Sequence, residues 1–338
     1  MKKLQKILIT GAGGYIGSVA TYLLLKKGFE VVAIDNFSTG YREPFVFFEN
    51  TFGSKKFRYY DRDLKDPLDS IFEREKGIDA VLHYAAHCIV DESMKNPEKY
   101  FSNNVCGSQN LLSTMLQYKV NKLVFSSTCT VYGEAQYVPI DEKHPLNPAN
   151  PYGASKKIVE EMMGWYGKLR GLKYVILRYF NVCGASDDGI IGDSKKPSTL
   201  LVQNAVRGAL GIETFNLTCP KVDTKDGTPI RDYTNVVDLN EAHFKAIEYL
   251  SKGGKSDIIN LGTGTGNSVL EVVETVQKLT KKKFKIGRAE PREGEYATMI
   301  ADITKAKKTL SWSPKRGLKD SVDSLVNWYK KYPNGWTS

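Results

Sequence analysis

Apolar residues along the first half of the chain form short runs that alternate with longer stretches of helical periodicity. Short continuous runs are typical of buried strands, whereas apolar positions three and four residues apart are typical of helices that pack on a sheet. The runs predict strands at 6–10, 29–34, 57–60, 78–84, 122–126 and 173–180. The periodic stretches predict helices that follow the first glycines up to residue 27 and lie at 67–76, 97–118 and 151–168. This alternation predicts an α/β fold with a doubly wound parallel sheet.

The second half of the chain is less regular. After about Gly184, loops rich in Gly, Asp, Lys and Pro separate the remaining elements, and helical periodicity returns at 199–210, 237–250 and 268–280. The sequence shows no internal repeat and no low-complexity linker, so we predict a smaller lobe that packs on the sheet. We place the two units at residues 1–183 and 184–338, with some exchange of chain between them.

Composition narrows the class of protein. The 338 residues, 41% hydrophobic and 25% charged, are ordinary for a globular enzyme of one large or two medium domains. The net charge of +10 arises partly from lysines at 278–285, which we interpret as a solvated face because no nucleic-acid motif accompanies them. The apolar run at 7–9 is too short for a signal sequence, and the five cysteines have neither disulfide-framework nor zinc-site spacing. We expect a cytoplasmic protein with no membrane, nucleic-acid or metal partner.

A glycine-rich turn follows the first predicted strand. Gly11, Gly14 and Gly17 recur at every third position and open the first helix, and the next strand ends at Asp35. Such a turn lets the backbone approach a diphosphate, whose negative charge is favoured at a helix N-terminus. An acidic residue after the second strand accepts hydrogen bonds from the adenosine ribose and repels a 2′-phosphate. The sequence therefore predicts a dinucleotide site for NAD rather than NADP.

Tyr152 and Lys156 lie four residues apart at the start of a predicted helix, so their side chains share one face. A tyrosine that acts as a base near neutral pH needs its pKa lowered by about 3 units, or roughly 4 kcal/mol. One positive charge at about 4 Å supplies roughly 4 kcal/mol at an effective dielectric constant of about 20. We therefore predict that Lys156 lowers the pKa of Tyr152. Thr128 and Asn181, at the ends of two predicted strands, should converge on the same edge of the sheet.

In this order the motifs resemble the extended short-chain dehydrogenase/reductase family over nearly the whole chain. The matching stretches are 10–18, 35–36, 83–86, 92–93, 103–105, 126–133, 152–156, 178–181, 227–233 and Asp302. The resemblance is to members of the family that act on sugar nucleotides. It implies a Rossmann-type sheet with a smaller C-terminal substrate-binding lobe, bound NAD, and an isomerase that epimerises a UDP-hexose (UDP-glucose or UDP-galactose) at C4 through a 4-keto intermediate.

The resemblance also implies roles for individual residues. Tyr152 takes the proton of the sugar 4-hydroxyl, Thr128 bridges that hydroxyl and Tyr152, and Lys156 also binds the nicotinamide ribose. The residues implied in NAD binding are Gly11, Gly14, Tyr15, Ile16, Gly17, Asp35, Asn36, Asp63, Leu64, Tyr84, Ala85, Ala86, Asn103, Ser126, Tyr152, Lys156 and Tyr179. The residues implied in UDP-sugar binding are Thr128, Asn181, Thr199, Leu200, Phe215, Arg231, Arg292 and Met299. The two arginines would bind the diphosphate as planar forks, and the helices at 97–118 and 152–168 would form a four-helix homodimer interface.

The chain departs from the family pattern only around the expected substrate. The departures are at Asp91, near Thr199, at 234–235 and in the segment 215–226. The sugar therefore stays open between a UDP-hexose and a UDP-N-acetylhexosamine, a UDP-pentose or a UDP-uronic acid. Met299, at the position that faces the sugar's C2 substituent in the family, is either a gate of middling size or a core residue.

Two other functions were weighed. A 4,6-dehydratase is disfavoured, because such enzymes carry an acidic pair directly after the threonine at position 128, where this chain has Cys129 and Thr130. A non-catalytic NAD-sensing regulator is a remote alternative, because such regulators often lack the tyrosine or the lysine and this chain has Tyr152, Lys156 and Thr128.

Overall fold

The computed structural model describes residues 5–196, 198–289 and 296–336, and its central feature is a seven-stranded sheet. The strands are β1 (Lys6–Thr10), β2 (Glu30–Asp35), β3 (Phe57–Asp61), β4 (Ala80–His83), β5 (Lys122–Thr128), β6 (Lys173–Tyr179) and β11 (Asp257–Leu261). Their order is β11-β6-β5-β4-β1-β2-β3, and every pair is parallel. β1 lies between β2 and β4, so the winding of the chain reverses at β1, which is where α/β sheets bind ligands.

Helices cover both faces of this sheet. They are α1 (Tyr15–Lys26), α2 (Glu43–Phe52), α3 (Asp69–Arg74), α4 (Val90–Lys95), α5 (Pro97–Tyr100), α6 (Gly107–Gln117), α7 (Pro151–Arg170), α9 (Val236–Ser251) and α11 (Thr304–Leu310). Residues that alternate along each strand divide between two cores: Ile7 and Ile9 pack with α1 and α9, whereas Leu8 packs with α6 and α7. This alternation explains why the inner strands β1, β2 and β4 are almost continuously apolar, because both of their faces are buried.

The smaller lobe has a core of its own. Its helices are α8 (Leu201–Leu210), α10 (Val269–Thr280) and α12 (Leu318–Lys331). Its short strands are β7 (Asn181–Cys183), β8 (Phe215–Leu217), β9 (Ile230–Arg231), β10 (Tyr233–Asn235), β12 (Asn267–Ser268), β13 (Ile286–Arg288) and β14 (Thr298–Met299). β7 pairs with β10, β9 lies between β12 and β14, and β8 pairs with β13. Trp328 and Phe215 are buried in the core between these elements.

Two features of the fold refine the sequence-based picture. The single helix predicted at 97–118 is interrupted by a π-helical turn, Phe101–Cys106, between α5 and α6. β11 and α9 lie beyond residue 183, yet β11 pairs with β6 in the central sheet and α9 packs on that sheet. Chain is therefore exchanged between the two units. The boundary at residue 183 itself stays a prediction. None of the described helices has both the length and the apolar content that a membrane span requires.

Candidate active site

The glycine turn is packed so closely that side chains are excluded from it. Gly11 has a φ of +72°, and a Cβ there would lie 2.5 Å from the backbone nitrogen of Ala85. A Cβ on Gly17 would lie 2.1 Å from the carbonyl oxygen of Gly11. α1 begins directly after Gly14 with no side-chain cap and no acidic residue in its first turn. Its first backbone N–H groups can therefore bind an anion.

Asp35 lies at the end of β2, beside this turn. Its carboxylate accepts hydrogen bonds from the backbone N–H groups of Gly13 and Phe37, each at 2.8 Å. Burial raises the pKa of Asp35, although these two backbone hydrogen bonds act in the opposite direction. Each carboxylate oxygen can accept a second hydrogen bond, so the group can still bind ribose hydroxyls. Next to it, the Asn36 amide donates to the Asp63 carboxylate at 2.9 Å.

A single cleft joins the glycine turn to Tyr152. It encloses about 1420 Å³ of empty space, including space open to solvent. The predicted site residues that line it are Gly11, Gly14, Tyr15, Ile16, Gly17, Asp35, Asn36, Leu64, Tyr84, Ala85, Ala86, Asn103, Thr128, Tyr152, Lys156, Tyr179, Asn181 and Leu200. The closely packed glycines, the free helix N-terminus and Asp35 together fit a dinucleotide.

Tyr152 and Lys156 lie on the same face of α7, as predicted. The helix begins at Pro151, and the Asn150 side chain accepts from the N–H of Gly153 at 2.9 Å. The Lys156 Nζ donates to the Ser126 carbonyl oxygen at 2.9 Å and lies 4.6 Å above the ring of Phe125. These contacts fix the ammonium at the end of β5.

The electrostatics of this pair correct the prediction. Burial raises the pKa of Tyr152 well above its usual value, although a hydrogen bond with the Thr128 side chain acts to lower it. Burial also lowers the pKa of Lys156 to about 8. The predicted net lowering of the tyrosine's pKa is therefore wrong for the polypeptide by itself. Spacing along a helix shows which groups are neighbours but not how completely both are removed from water, and burial is the largest influence on the pKa of each.

The π-helical turn holds the loop after β4 against α7. The side chain of Asn104 accepts from the backbone N–H of His87 at 2.9 Å and donates to the Ser155 hydroxyl at 3.0 Å. Asn103, its neighbour in the turn, lines the cleft. π-Helical turns often occur at functional sites. This one places Asn103 in the cleft lining and Asn104 in the contacts that support it.

Several predicted residues lie outside the cleft lining. Ser126 is buried, and its hydroxyl contacts the His243 ring at 3.0 Å. Phe215 packs against Phe284 in the core of the smaller lobe, so its side chain does not face the cleft. Met299 belongs to a small buried cluster whose member Phe180 lines the cleft, so its two interpretations, a gate or a core residue, both stay predictions. Asp63 and Thr199 also lie outside the lining, and Arg292 lies outside the described residues.

Arg231 lies near the tyrosine end of the cleft without lining it. It is a β9 residue, and its guanidinium donates to the Ile230 carbonyl oxygen at 2.9 Å. Burial raises the pKa of the Cys129 thiol to about 12, and the charge of Arg231 acts against this rise. Because Cys129 directly follows Thr128, the guanidinium is placed close to the predicted reacting centre.

Sequence reasoning missed several cleft residues. They are Ser38, Thr39, Gly40, Arg62, His87, Cys88, Phe180, Val182 and Lys195. The Lys195 Nζ lies 3.5 Å from the Cys88 sulfur, so it joins the smaller lobe to the loop after β4. The neighbouring Cys88 sulfur raises the pKa of Lys195, burial opposes this, and the buried Asp193 carboxylate adds to it. For Lys195, the only sign in the sequence was that it lies next to Lys196 in a predicted loop. A loop has no periodic pattern from which the position of a side chain could be predicted.

Both the sequence and the fold are similar to those of known proteins. The sequence model that defines the NAD dependent epimerase/dehydratase family matches residues 7–262 of this chain. The UDP-glucose 4-epimerase of Lactobacillus helveticus is 41% identical over 98% of this chain and 99% of its own length. The solved UDP-glucose 4-epimerase of Bifidobacterium longum, in complex with NAD+ and UDP, has a TM-score of 0.92 and 34% identity over 98% of this chain and all of its own.

A third relative concerns the choice of sugar. The solved UDP-Glc/GlcNAc 4-epimerase of Campylobacter jejuni has a TM-score of 0.82 and 39% identity over 97% of this chain and 99% of its own. Together these matches confirm the predicted fold class and the predicted cofactor, NAD. The chain belongs to the NAD dependent epimerase/dehydratase family.

Proposed function

We propose that this protein is an isomerase that interconverts UDP-glucose and UDP-galactose by epimerisation at C4. The observation that carries the proposal is that one cleft joins a dinucleotide-type glycine turn to Tyr152, Lys156 and Thr128. Full-length relatives that carry the name UDP-glucose 4-epimerase support the same reaction. The remote alternative, a non-catalytic NAD-sensing regulator, is disfavoured, because a regulator has no need for a buried phenol beside a fixed ammonium.

Each of the three residues has a defined task. NAD, held by the glycine turn and Asp35, would supply the acceptor and donor of the C4 hydride and would add positive charge to the cleft. Tyr152 receives the proton of the sugar 4-hydroxyl and returns it after the sugar has turned. A positive charge near the Tyr152 phenol lowers its pKa, as its role as a base requires. Burial in the polypeptide acts in the opposite direction and raises this pKa. Thr128, hydrogen-bonded with Tyr152, relays or orients the same proton.

The remaining predicted residues divide by their position in the cleft. The glycine turn, Tyr15, Ile16 and the acidic end of β2 would hold the adenosine and the diphosphate of NAD, while Tyr84, Asn103 and Tyr179 lie toward Tyr152. Asn181 and Leu200 line the part of the cleft that the smaller lobe contributes. Arg231 is proposed to bind the diphosphate of the UDP-sugar as a planar fork.

We further propose a homodimer through α4, the π-helical turn and α7. Apolar side chains on these elements are unusually exposed: Met94 by 62%, Trp165 by 60% and Leu169 by 67%. Exposed apolar clusters of this kind mark interaction surfaces. Trp165→Glu combined with Leu169→Glu should halve the molar mass measured by light scattering, and an unchanged mass would refute this interface.

All five cysteines are free, which supports a reducing, cytoplasmic location.

The function is tested by incubating the purified protein with UDP-galactose, without added NAD, and separating the sugar nucleotides by chromatography. We expect UDP-glucose to form, and we expect Tyr152→Phe to reduce kcat by about 10²- to 10⁴-fold while NAD stays bound. Tyr118→Phe, at a half-buried residue that follows α6 and does not line the cleft, should match the parent protein in kcat. Lack of conversion by a parent protein that contains NAD would refute the substrate.

A second substrate follows from the similarity to the UDP-Glc/GlcNAc 4-epimerase. UDP-N-acetylgalactosamine in the same assay tests it. Conversion of both sugars would show that the pocket near C2 is permissive, and conversion of UDP-galactose alone would show that it is restrictive.

A further inference from the structure

Lys195 stands where the smaller lobe meets the glycine turn. It lines the main cleft, and it also lies with Gly13, Gly14 and Tyr15 around a second, smaller gap at the start of α1. The segment that carries it is fixed to the loop after β2, because the Tyr41 hydroxyl donates to the Ser194 carbonyl oxygen at 2.7 Å. A cation is therefore held beside the free N-terminus of α1.

The side chain of Lys195 crosses from one lobe to the other. Its Nζ reaches to within 3.5 Å of the Cys88 sulfur, in the loop that packs on Gly11 through Ala85. Its own backbone N–H contacts the buried carboxylate of Asp193 at 3.4 Å, and Ser198 donates to the same carboxylate at 2.9 Å. These contacts aim the ammonium at the glycine turn.

Three described residues in the cleft lining carry a positive charge, and they stand at different places in the cleft. Arg62 is held beside the second strand, where its backbone N–H donates to the Asp35 carbonyl oxygen at 3.1 Å. Lys156 is buried on the Ser126 carbonyl oxygen beside Tyr152. Of the three, Lys195 is the one that stands at the start of α1, where backbone N–H groups already favour a phosphate.

We propose that Lys195 binds the diphosphate of the dinucleotide, opposite the N-terminal amides of α1. The cofactor is then gripped by both lobes, with backbone dipoles on one side and a full charge on the other. An ammonium contributes charge-assisted hydrogen bonds to phosphate oxygens, which are about twice as strong as neutral ones. The proposal rests on the proposed function in taking the bound dinucleotide to be NAD that is retained between turnovers.

The test uses the NAD-loaded protein and needs no turnover. Exchange of bound NAD for isotopically labelled NAD is followed in the parent protein and in Lys195→Met, which keeps the length of the side chain and removes its charge. Loss of one charge-assisted contact should accelerate exchange by about 10- to 100-fold. Lys195→Arg should restore slow exchange, and Lys196→Met, which removes a charge from the adjacent exposed residue, should leave exchange unchanged. The affinity for UDP, measured by calorimetry on the same proteins, reports whether Lys195 instead contacts the diphosphate of the UDP-sugar.

Faster exchange in Lys195→Met with unchanged UDP affinity is the expected result. Unchanged exchange overturns the proposal, and weaker UDP binding with unchanged exchange reassigns the ammonium to the sugar nucleotide. Failure of the parent protein to convert UDP-galactose would refute the substrate but would leave this test intact, because both readouts are binding measurements.

Discussion

A buried ion pair between α7 and β6 supports the reacting residues, and its loss should be measurable. The Arg178 Nε lies 3.0 Å from one carboxylate oxygen of Glu160 and 3.2 Å from the other, and the two side chains are only 3% and 4% exposed. Glu160 also accepts from the Ser127 hydroxyl, next to Thr128 in β5. Glu160 follows Lys156 by one helical turn, so the pair fixes the helix that carries Tyr152 to β6, and the Ser127 contact fixes it to β5, which carries Thr128.

Arg178→Met should leave the Glu160 carboxylate buried without its partner. Removal of one member of a buried pair destabilises a protein by about 3–5 kcal/mol. For the 338 residues, at roughly 2.1 cal/mol/K per residue, the unfolding entropy is about 0.7 kcal/mol/K, so the melting temperature should fall by about 4–7 °C. We expect kcat for UDP-galactose to fall as well, because α7 loses its fixed position relative to β5.

A double-mutant cycle separates the pair from its surroundings. Glu160→Met alone should also be destabilising, whereas Arg178→Met with Glu160→Met should recover most of the stability, since two apolar side chains need no partners. The melting temperatures of the four proteins, measured by calorimetry at pH 7, give the coupling. A double variant as unstable as the sum of the two single variants would show that the residues do not act as a pair, and the reasoning would fail.

Three further predictions follow from single positions. Gly17→Ala should abolish NAD retention, because its Cβ would meet the Gly11 carbonyl oxygen at 2.1 Å, whereas Gly164→Ala, with its nearest neighbour at 3.9 Å, should be neutral or stabilising by up to ~1 kcal/mol; equal NAD content in both would refute this. Burial lowers the pKa of His83 to about 3, so the folded state binds fewer protons than the unfolded one below about pH 6.5, and stability should fall by about 2 kcal/mol from pH 7 to pH 5 through this residue. Urea titrations of the parent protein and His83→Gln should differ by that amount in their pH dependence, and parallel curves would contradict it. Thr128→Val should lower kcat more than it raises KM for UDP-galactose, and a change in KM alone would argue for binding only.

Six of the seven strands of the sheet and the glycine turn could be predicted from sequence because local pattern determines them, whereas β11 was not predicted. The inner strands are short and apolar on both faces, and Gly17 is needed for its contact with Gly11 within one strand–turn–helix unit. α2 was not predicted, because a cluster of phenylalanines at 45–48 carries no simple helical period, although it packs on α1 and β3. α12 was also missed, and its Trp328 is buried by distant elements.

Features that depend on distant contacts were the ones that the sequence concealed. The π-helical turn follows from the partners that Asn104 finds in another loop and in α7. The pKa of Tyr152 depends on how completely three elements bury it, which spacing does not reveal. Phe215 and Met299 lie outside the matching stretches, and their side chains belong to buried clusters formed by distant elements. Lys195 had no motif at all and was found only through its place beside the glycine turn.

The central claim is that the proton of the sugar 4-hydroxyl is transferred to Tyr152, whereas the hydrogen on C4 stays in the cleft throughout the reaction. The most direct measurement is proton NMR of UDP-galactose incubated with the purified protein in D₂O, without added NAD. The account predicts that UDP-glucose appears with its C4 hydrogen fully retained. Deuterium at C4 of the product would show that the hydrogen exchanges with solvent as a proton, and would contradict the account.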